Sequence, residues 1–372
     1  MRRVSRALVV ATTTLAVVAA PAATGATTVP DDGDRIALQE RLDDIVDAGA
    51  VGALAEVRDE DGVWRSTSGT AEEDRIQPVP VNGRFRTGSI TKTFLATVIL
   101  QLVDEQRMSL DDTVEAWLPG VVPDGDGITV RHLLNHTSGL YDFLRTLPFP
   151  PRQAFFDNRW RTWTASELVQ RAVANPPTFE PPGRAFAYSN TGYALLGQIL
   201  EEATGRPYGV EIERRIIRPL GLHATSLPGT YPRIHGPHPH GYVPKTVEGD
   251  LLEYTEMNPS VLGAGGELIS TTRDLNRFFD ALLGGRLIPD RLLEEMKTAG
   301  IEDGKKYGLG LAWRNTACGI RVYGNDGDAL TYQSWSFTSE DRRRQVTVAF
   351  TPDFAGDPDR AVDAFLKEAF CS

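Results

Sequence analysis

One long apolar-periodic segment restricts most strongly how this chain can fold. In FRTGSITKTFLATVILQLV, residues 85–103, apolar side chains recur at intervals of four on two adjacent faces of a helix. These side chains are Phe94, Val98 and Leu102 on one face and Leu95, Ile99 and Val103 on the next. A helix that is apolar over so much of its surface must lie inside the protein, so we expect other elements to surround it.

Ser89 and Lys92 stand at the start of this helix, three positions apart and therefore on one side of it. Burial and the positive end of the helix dipole both disfavour an ammonium group, so the pKa of Lys92 should fall. A neutral Lys92 can take the proton of the Ser89 hydroxyl and make the serine a nucleophile. The alternative is a capping serine beside a lysine that extends to solvent, since an S-x-x-K match alone is common.

Strand-like segments lie at both ends of the chain, and helix-like segments lie between them. Residues 35–48 have helical periodicity, residues 51–69 are typical of two strands around an Asp-Gly turn, and residues 307–350 contain further short strands. Residues 359–370 close the chain as a helix. This pattern predicts an α+β fold: one antiparallel sheet, flanked by the terminal helices, with an all-helical domain inserted.

The domain division follows from the same pattern. We assign residues 30–110 and 264–372 to a discontinuous domain of sheet plus helices. The inserted, mainly helical domain covers residues 111–263. Residues 1–26 belong to neither.

Those first 26 residues differ from the rest of the chain. MRRVSR supplies three arginines, apolar and small residues follow, and small residues lead up to Ala26. This pattern is typical of a secretory signal peptide cleaved near Ala26, so we expect a secreted, extracellular protein without stable membrane insertion. An N-terminal membrane anchor is the alternative, but an anchor needs about 20 strongly apolar residues, and threonines and a proline interrupt this stretch.

The charge balance excludes two classes of partner. The chain has 39 Lys and Arg residues against 50 Asp and Glu residues, a net charge of −11. Loss of the signal peptide removes Arg2, Arg3 and Arg6 and makes the net charge −14. So acidic a protein is repelled by nucleic acid and by anionic membranes, and we expect neither as a partner.

Cys318 and Cys371 are the two cysteines of the chain. An even number of cysteines in an exported protein usually forms disulfides, so we prefer a bridge between them over two free thiols. This bridge would tie the C-terminal segment to a strand.

Several longer stretches are similar to one family of enzymes. The penicillin-recognising serine hydrolases, which include class C β-lactamases and D-alanyl-D-alanine peptidases, resemble this chain in RFRTGSITKTFLATVILQLVDEQRMSLDDTVEAWLPG, ITVRHLLNHTSGLYDF, FAYSNTGYALLGQILEEATG, ISTTRDLNRFF and YGLGL. The likeness is greatest to secreted D-alanyl-D-alanine carboxypeptidase/transpeptidases and covers nearly all of the mature chain. It implies a β-lactamase/transpeptidase-like fold, with Ser89 as nucleophile and Lys92 as its base. It also implies the disulfide, because the secreted peptidases carry a matching pair of cysteines.

Tyr188 and Asn190 match the second motif of that family, Tyr-x-Asn. In the family the tyrosine oxygen lies near the nucleophile and relays the proton, while the asparagine binds the lysine and the substrate amide. The resemblance implies the same roles here, although by chemistry alone Tyr-Ser-Asn could be a simple turn.

The third family motif, a strand reading Lys or His, then Thr or Ser, then Gly, is altered to Asn325, Asp326 and Gly327. We expect Gly327 to let the substrate backbone lie against the strand. Asn325 can hydrogen-bond to Tyr188 but lends it no positive charge, so the tyrosine should ionise less easily than in the family.

The residue after this motif, Asp328, is also expected at the site. Its N–H would join that of Ser89 as an oxyanion hole. Its carboxylate and that of Asp326 are unfavourable beside a developing oxyanion, so these side chains must either point away or meet a cation.

The chain lacks the arginine that would bind a substrate's terminal carboxylate. The arginine that holds this group in the carboxypeptidases aligns with Ala312, and we do not expect Arg314, on the same strand face, to replace it. We therefore hypothesise that the enzyme has lost the preference for a free C-terminal carboxylate. An amide, an ester or an amino-bearing side chain would fit Asp326 and Asp328.

The histidines offer no second mechanism. His235, His238 and His240 lie in a loop rich in Pro and Gly, and a solvated loop explains them better than a zinc site because no fourth ligand is evident. His136 matches a family loop position and is expected to be structural rather than catalytic.

The sequence thus predicts a secreted serine hydrolase of the D-alanyl-D-alanine carboxypeptidase/transpeptidase type that cleaves peptide or amide bonds through an acyl-enzyme. We expect a monomer that acts on a small peptide, amide or ester, peptidoglycan-derived peptides included, with no cofactor and no metal. Esterase, D-aminopeptidase or amidase, and peptide cyclase remain open, whereas a true β-lactamase is disfavoured because the third motif offers no help to a deacylating water. A catalytically impaired penicillin-binding relative is the non-enzymatic alternative, but a binding protein does not need a nucleophile with its base.

Overall fold

The computed structural model describes residues 32–298, 300–301 and 306–372. The predicted signal peptide, residues 1–26, lies outside this part of the chain. Within it, no helix has the length and apolar character needed to cross a membrane.

The secondary structure is mixed, with helices between two groups of strands. The helices are α1 Asp32–Asp47, α2 Thr91–Asp104, α3 Val114–Trp117, α4 Val130–Leu134, α5 Gln153–Asp157, α6 Ala165–Val173, α7 Asn190–Thr204, α8 Tyr208–Ile212, α9 Arg218–Leu220, α10 Thr272–Leu283, α11 Asp290–Lys297 and α12 Asp359–Cys371. The strands are β1 Ala50–Asp59, β2 Gly62–Gly69, β3 Phe85–Arg86, β4 Tyr242–Pro244, β5 Leu251–Glu253, β6 Ile269–Ser270, β7 Ala312–Asn315, β8 Arg321–Asp328, β9 Gln333–Ser339 and β10 Gln345–Pro352.

Six strands form one antiparallel sheet in the order β2-β1-β10-β9-β8-β7. β1 and β2 pair from Gly52–Gly69 to Asp59–Gly62, so a hairpin closes at the predicted Asp-Gly turn. β1 also pairs along its length with β10. Strands from the two ends of the chain therefore meet inside one sheet, which confirms the predicted architecture.

The terminal helices α1 and α12 pack together against one face of this sheet. Side chains of a strand point alternately to its two faces, so every second residue of β1 and β10 faces these helices. The buried residues on this face include Leu42 and Ile45 of α1, Ala53, Ala55 and Val57 of β1, Val346, Val348 and Phe350 of β10, and Phe365 and Phe370 of α12.

The predicted buried helix is α2, which lies in the largest core of the protein. Its residues from Thr91 to Leu100, and Leu102, are buried. Phe94 stacks on Phe278 of α10 with ring centroids 3.6 Å apart, and α10 packs on β9 and β10. The helix that carries Lys92 is therefore held between the sheet side and the helical side of the protein.

Residues 111–263 contain α3 to α9 and a separate two-stranded sheet of β4 and β5. Within this segment α7 packs on α4 and α6, and it also contacts α2. The assignment of this segment as a separate domain stays a prediction. This segment matters for the site because its helix α7 brings Asn190 to the start of α2.

Cys318 and Cys371 form a disulfide with Cα atoms 5.8 Å apart. Cys318 lies in the turn between β7 and β8, and Cys371 is the last residue of α12. The bridge therefore fixes the end of the C-terminal helix to the β7–β8 hairpin.

Candidate active site

Ser89 and Lys92 lie together where α2 begins. Ser89 is in a single 3-10 turn, Gly88–Ile90, and Lys92 is the second residue of α2. The Nζ atom of Lys92 is 3.0 Å from Oγ of Ser89, and the lysine side chain is fully buried. The helix thus presents the Lys92 amine to Ser89 and not to solvent, which excludes the alternative of a lysine that extends to solvent.

Two carbonyl oxygens complete the surroundings of the Lys92 amine. Nζ donates to Oδ1 of Asn190 at 2.8 Å and to the main-chain oxygen of Gly265 at 2.7 Å. Carbonyl oxygens only accept hydrogen bonds, so a neutral amine would use its two N–H groups on them. Its lone pair would then be directed at the third neighbour, the hydroxyl of Ser89.

Asp142 determines which way the Asn190 amide is turned. The Nδ2 group of Asn190 donates to Oδ2 of Asp142 at 3.1 Å, and the carboxylate of Asp142 also accepts the N–H of Asn190 at 3.3 Å. Because a carboxylate can only accept, the amide must present its NH₂ to Asp142 and its oxygen to Lys92. Asp142 is in turn the N-cap of the 3-10 turn that follows it, Phe143–Thr146.

Burial lowers the pKa of Lys92 to about 7. The negative charges of Asp142 and Asp326 oppose this shift by favouring the ammonium form, but desolvation is the larger effect. A lysine with this pKa is largely neutral at slightly alkaline pH. It can then accept a proton from Ser89, as a general base must.

Tyr188 lies on the other side of the nucleophile. Its hydroxyl donates to Oγ of Ser89 at 2.7 Å, and its ring lies 5.0 Å from Nζ of Lys92. Although 37% of the residue is accessible to solvent, burial within the cleft, together with the nearby Tyr307 hydroxyl, raises the pKa of Tyr188 well above its usual value. Tyr188 is therefore a neutral phenol, harder to ionise than usual, and the main cause is desolvation.

Two glycines let β8 approach the serine very closely. A Cβ atom on Gly327 would lie 1.9 Å from the carbonyl oxygen of Thr87 and 2.9 Å from the nitrogen of Ser89, and one on Gly88, at φ +53°, would lie 2.6 Å from the nitrogen of Asp328. This corrects our reason for Gly327: it makes room for the segment before the nucleophile, not for substrate. The close packing of these two glycines places the main-chain nitrogens of Ser89 and Asp328 where β8 meets the start of α2.

Asn325 does not contact Tyr188 or face the substrate, contrary to expectation. It is buried, and its Nδ2 donates to Oγ1 of Thr93 at 3.2 Å and to the main-chain oxygen of Ser89 at 3.4 Å. The physical reason is the alternation of β8, which turns residue 325 inward toward α2. Asn325 therefore supports the segment that carries Ser89.

Asp326 and Asp328 lie on the accessible face of β8. Desolvation by the surrounding walls raises the pKa of both carboxyls, and the positive charges of Arg314 and Lys92 lower that of Asp326 in opposition. Arg314 itself pairs with Asp363 of α12 at 2.9 Å. Asp326 thus has two cations at a distance, whereas the carboxylate of Asp328 accepts the N–H of Leu330 at 2.6 Å. Arg314 is already paired with Asp363, so it does not replace the missing carboxylate-binding arginine.

An apolar cavity of about 290 Å³ opens beside Ser89. Five aromatic side chains contribute to its wall: Phe143, Phe149, Phe155, Trp163 and Tyr254. The end of the cavity near the Lys92 amine is lined by Ser89, Tyr188, Asn190 and Asp328. Such a wall suits a large apolar substrate group attached next to the reacting carbonyl.

The three histidines of the Pro/Gly-rich loop have ordinary surface partners. His235 stacks on Tyr231, Nδ1 of His238 lies 2.7 Å from the oxygen of Gly236, and His240 lies 3.6 Å from Glu253. Across the described residues, no group of three His, Cys, Asp or Glu side chains is arranged to hold a metal ion.

Two groups around Lys92, from Asp142 and Gly265, were not predicted from the sequence. Asp142 lies within the quoted LYDF stretch, and Gly265 lies in a glycine-rich run, but neither carries a signal of its own. Both reach Lys92 or its partner from segments far away in the sequence, and only the fold shows this.

Comparisons with known proteins agree with this geometry. The sequence profile of the family described as Beta-lactamase matches residues 37–369. Penicillin-binding protein 4* of Bacillus subtilis (strain 168) is 29% identical over 308 residues, which are 77% of this chain and 64% of that protein. This chain thus spans less than two thirds of that relative's length.

Two solved structures are similar over most of both chains. A D-stereospecific amidohydrolase from Streptomyces sp. is 40% identical with a TM-score of 0.83, and the alignment covers 91% of this chain and 98% of that one. The D-amino acid amidase from Ochrobactrum anthropi SV3, complexed with L-phenylalanine amide, is 28% identical with a TM-score of 0.77, covering 90% and 98%.

Proposed function

Since the chain belongs to the Beta-lactamase family and is a serine hydrolase, we propose that it hydrolyses amides and esters of D-amino acids whose leaving group carries no free carboxylate. Ser89 is the nucleophile, Lys92 its base and Tyr188 the proton donor to the leaving group. The D configuration is supported by the two amidohydrolases, to which the chain is similar over at least 90% of its length.

Acylation begins when Oγ of Ser89 attacks the substrate carbonyl carbon. As the new C–O bond forms, the hydroxyl proton passes to the lone pair of Lys92 Nζ, and the carbonyl π electrons move onto its oxygen. The N–H groups of Ser89 and Asp328 stabilise the resulting oxyanion.

The tetrahedral adduct collapses when the bond to the leaving nitrogen or oxygen breaks. The leaving atom takes the proton of the Tyr188 hydroxyl, which receives in exchange the proton that Lys92 took from Ser89. Because the raised pKa of Tyr188 makes a free tyrosinate unfavourable, the two transfers must be coupled. Water then attacks the acyl-enzyme through the same steps in reverse and releases the free acid.

The two ends of the cleft select different parts of the substrate. The aromatic cavity holds the side chain of the acylating amino acid, so D-phenylalanine derivatives should be accepted better than D-alanine derivatives. Asp326 and Asp328 face the leaving group, where a carboxylate is repelled and an amide, an ester or a cationic group is tolerated.

The geometry around Lys92 is the observation that carries the proposal. A buried amine whose two carbonyl partners leave its lone pair directed at a serine hydroxyl 3.0 Å away has the arrangement of a general base with its nucleophile.

The test compares four substrates: D-phenylalanine amide, L-phenylalanine amide, and D-Phe-D-Ala as the free acid and as the C-terminal amide. We expect kcat/KM to be higher for the D than for the L amide. The dipeptide amide should exceed the acid by about tenfold. Active sites are counted by labelling with an alkyl fluorophosphonate, with Ser89→Ala as the unlabelled control.

A preference for the L amide or for the free acid would overturn the substrate assignment. Labelling by fluorescent penicillin with no turnover of any of the four substrates would overturn catalysis and support a penicillin-binding relative.

We further propose that the reaction takes place outside the cytoplasm. The disulfide between Cys318 and Cys371 supports this location, because such bonds persist mainly in oxidising compartments. Processing of the secreted protein near Ala26, read by N-terminal sequencing, tests it.

A further inference from the structure

His136 is buried directly behind the ring of Tyr188. The two ring centroids are 4.1 Å apart and the planes are inclined by 30°. His136 also contacts the rings of Tyr193 and Tyr307, at 5.3 and 4.9 Å. The tyrosine that donates to Ser89 therefore rests on an imidazole, with further aromatic rings behind it.

The main chain joins His136 to the same segment. The N–H of Ser189, next to Tyr188, donates to Nδ1 of His136 at 3.2 Å, and the N–H of Ala187 donates to the main-chain oxygen of His136 at 2.9 Å. Residues on both sides of Tyr188 are thus held by one histidine. His136 accordingly adopts a left-handed backbone, φ +59°, which His tolerates better than most residues.

The imidazole is neutral and has a defined tautomer. Burial and the positive charge of Lys92 hold the pKa of His136 well below its usual range. Because Nδ1 accepts the Ser189 N–H, the proton lies on Nε2, which has no hydrogen-bond partner among the described residues. An uncharged ring can support Tyr188 without favouring its ionisation.

We propose that His136 is a positioning residue that holds the Tyr188 hydroxyl where it can protonate the leaving group. This inference rests on the proposed function. The inference extends the proposed function by assigning a role in leaving-group departure to a histidine that touches neither Ser89 nor substrate. Displacement of the phenol by about 1 Å would slow proton transfer much more than it would slow attack by Ser89.

The experiment compares two substrates that share the acyl group. D-phenylalanine amide needs a proton on its leaving nitrogen, whereas the p-nitrophenyl ester of D-phenylalanine expels a stable anion without one. We expect His136→Asn, which keeps the permitted backbone but removes the ring, to lower the amide-to-ester ratio of kcat/KM by about tenfold. His136→Phe restores a ring but not the Nδ1 acceptor for Ser189, so its ratio should lie between those of His136→Asn and the wild type.

Two further variants calibrate the ratio. Tyr188→Phe should lower it at least as far as His136→Asn does. His132→Asn lies one turn earlier, in α4, where Nδ1 of His132 accepts the N–H of the N-cap Thr129. It should leave the ratio unchanged even if it lowers the melting temperature. Rates are expressed per fluorophosphonate-titrated site, so unfolded protein does not enter the comparison.

If His136→Asn lowers kcat/KM equally on amide and ester, or on neither, the amide-to-ester ratio is unchanged. That result would overturn the inference and leave His136 as a core residue. Failure of the wild type to hydrolyse either substrate would instead overturn the proposed function.

Discussion

The two walls of the catalytic cleft are held in very different ways. On the wall formed by α2 and α7, the amine of Lys92 has three hydrogen-bond partners from three separate segments and no contact with solvent. On β8, Asp326 and Asp328 are accessible, and one of them has only distant cations to offset its charge. The side chains of the first wall are fixed by buried contacts within the protein. Those of the second wall are free to interact with a bound substrate.

This difference separates chemistry from selectivity. In the proposed mechanism, the nucleophile and its base depend on buried groups that cannot change singly without leaving a polar atom unpaired. On β8, Asp326 and Asp328 are exposed and can change with little effect on the fold, whereas Asn325 and Gly327 beside them face inward. Substitutions on the two walls should therefore affect different kinetic quantities.

The largest effect is expected on the first wall. Lys92→Met removes the base while keeping an apolar stem in the buried site, so kcat/KM for D-phenylalanine amide should fall by about 10³-fold. The exposed Lys367→Met provides the matched control and should retain wild-type rates. Residual activity above a tenth of the wild type would mean that another group deprotonates Ser89.

The second wall should respond in selectivity. Asp326→Asn combined with Asp328→Asn removes two negative charges without changing shape, so kcat/KM for D-Phe-D-Ala acid should rise by about tenfold relative to its amide. On the plateau above pH 8, the rate on D-phenylalanine amide itself should change little. If acid and amide move together, the carboxylates do not face the leaving group.

The pH profile connects the two walls. With the pKa of Lys92 at about 7, the wild-type rate should be highest above pH 8 and about tenfold below that plateau at pH 6, because only the neutral amine accepts a proton. Asp326 favours the ammonium form, so Asp326→Asn should lower this pKa and move the acid limb to lower pH. Glu60→Gln, far from the site, should leave the profile in place; a shift to higher pH in Asp326→Asn would contradict the coupling.

The smallest effect on catalysis is expected from the disulfide, which lies on the β7–β8 hairpin behind the second wall. Replacing both cysteines by serine should lower the free energy of unfolding by about 2–4 kcal/mol. Rates at 25 °C should stay within about twofold, since neither sulfur reaches the cleft. Denaturant titration measures the first quantity and steady-state kinetics the second.

Much of the fold follows from local sequence. The apolar spacing in α2, the alternation in β10 and the Asp-Gly turn between β1 and β2 are short-range patterns, and each predicts its element correctly. Ser89, Lys92, Tyr188 and Asn190 could be named because each lies in a short motif.

The rest of the site depends on contacts between distant segments. Asp142 acts on Lys92 through Asn190, and the partner oxygen of Gly265 is a main-chain atom, which every residue possesses. The reason for a glycine at position 327 was misjudged because the sequence of β8 does not show which segment packs against it. A Cβ atom on Gly327 would lie 1.9 Å from the carbonyl oxygen of Thr87. The aromatic cavity likewise combines side chains from residues 143–163 with Tyr254, and no local pattern joins them.

The convergence of segments on Lys92 has a consequence for how the protein can be assayed. A chain whose helices have formed but whose residues 142, 190 and 265 have not yet come together would carry a hydrated lysine with an ordinary pKa near 10, and thus an inert serine. Such a chain would have a nearly native circular dichroism spectrum and no catalytic rate. Turnover is therefore the more stringent reporter of correct maturation, and during refolding it should appear after the spectroscopic signal.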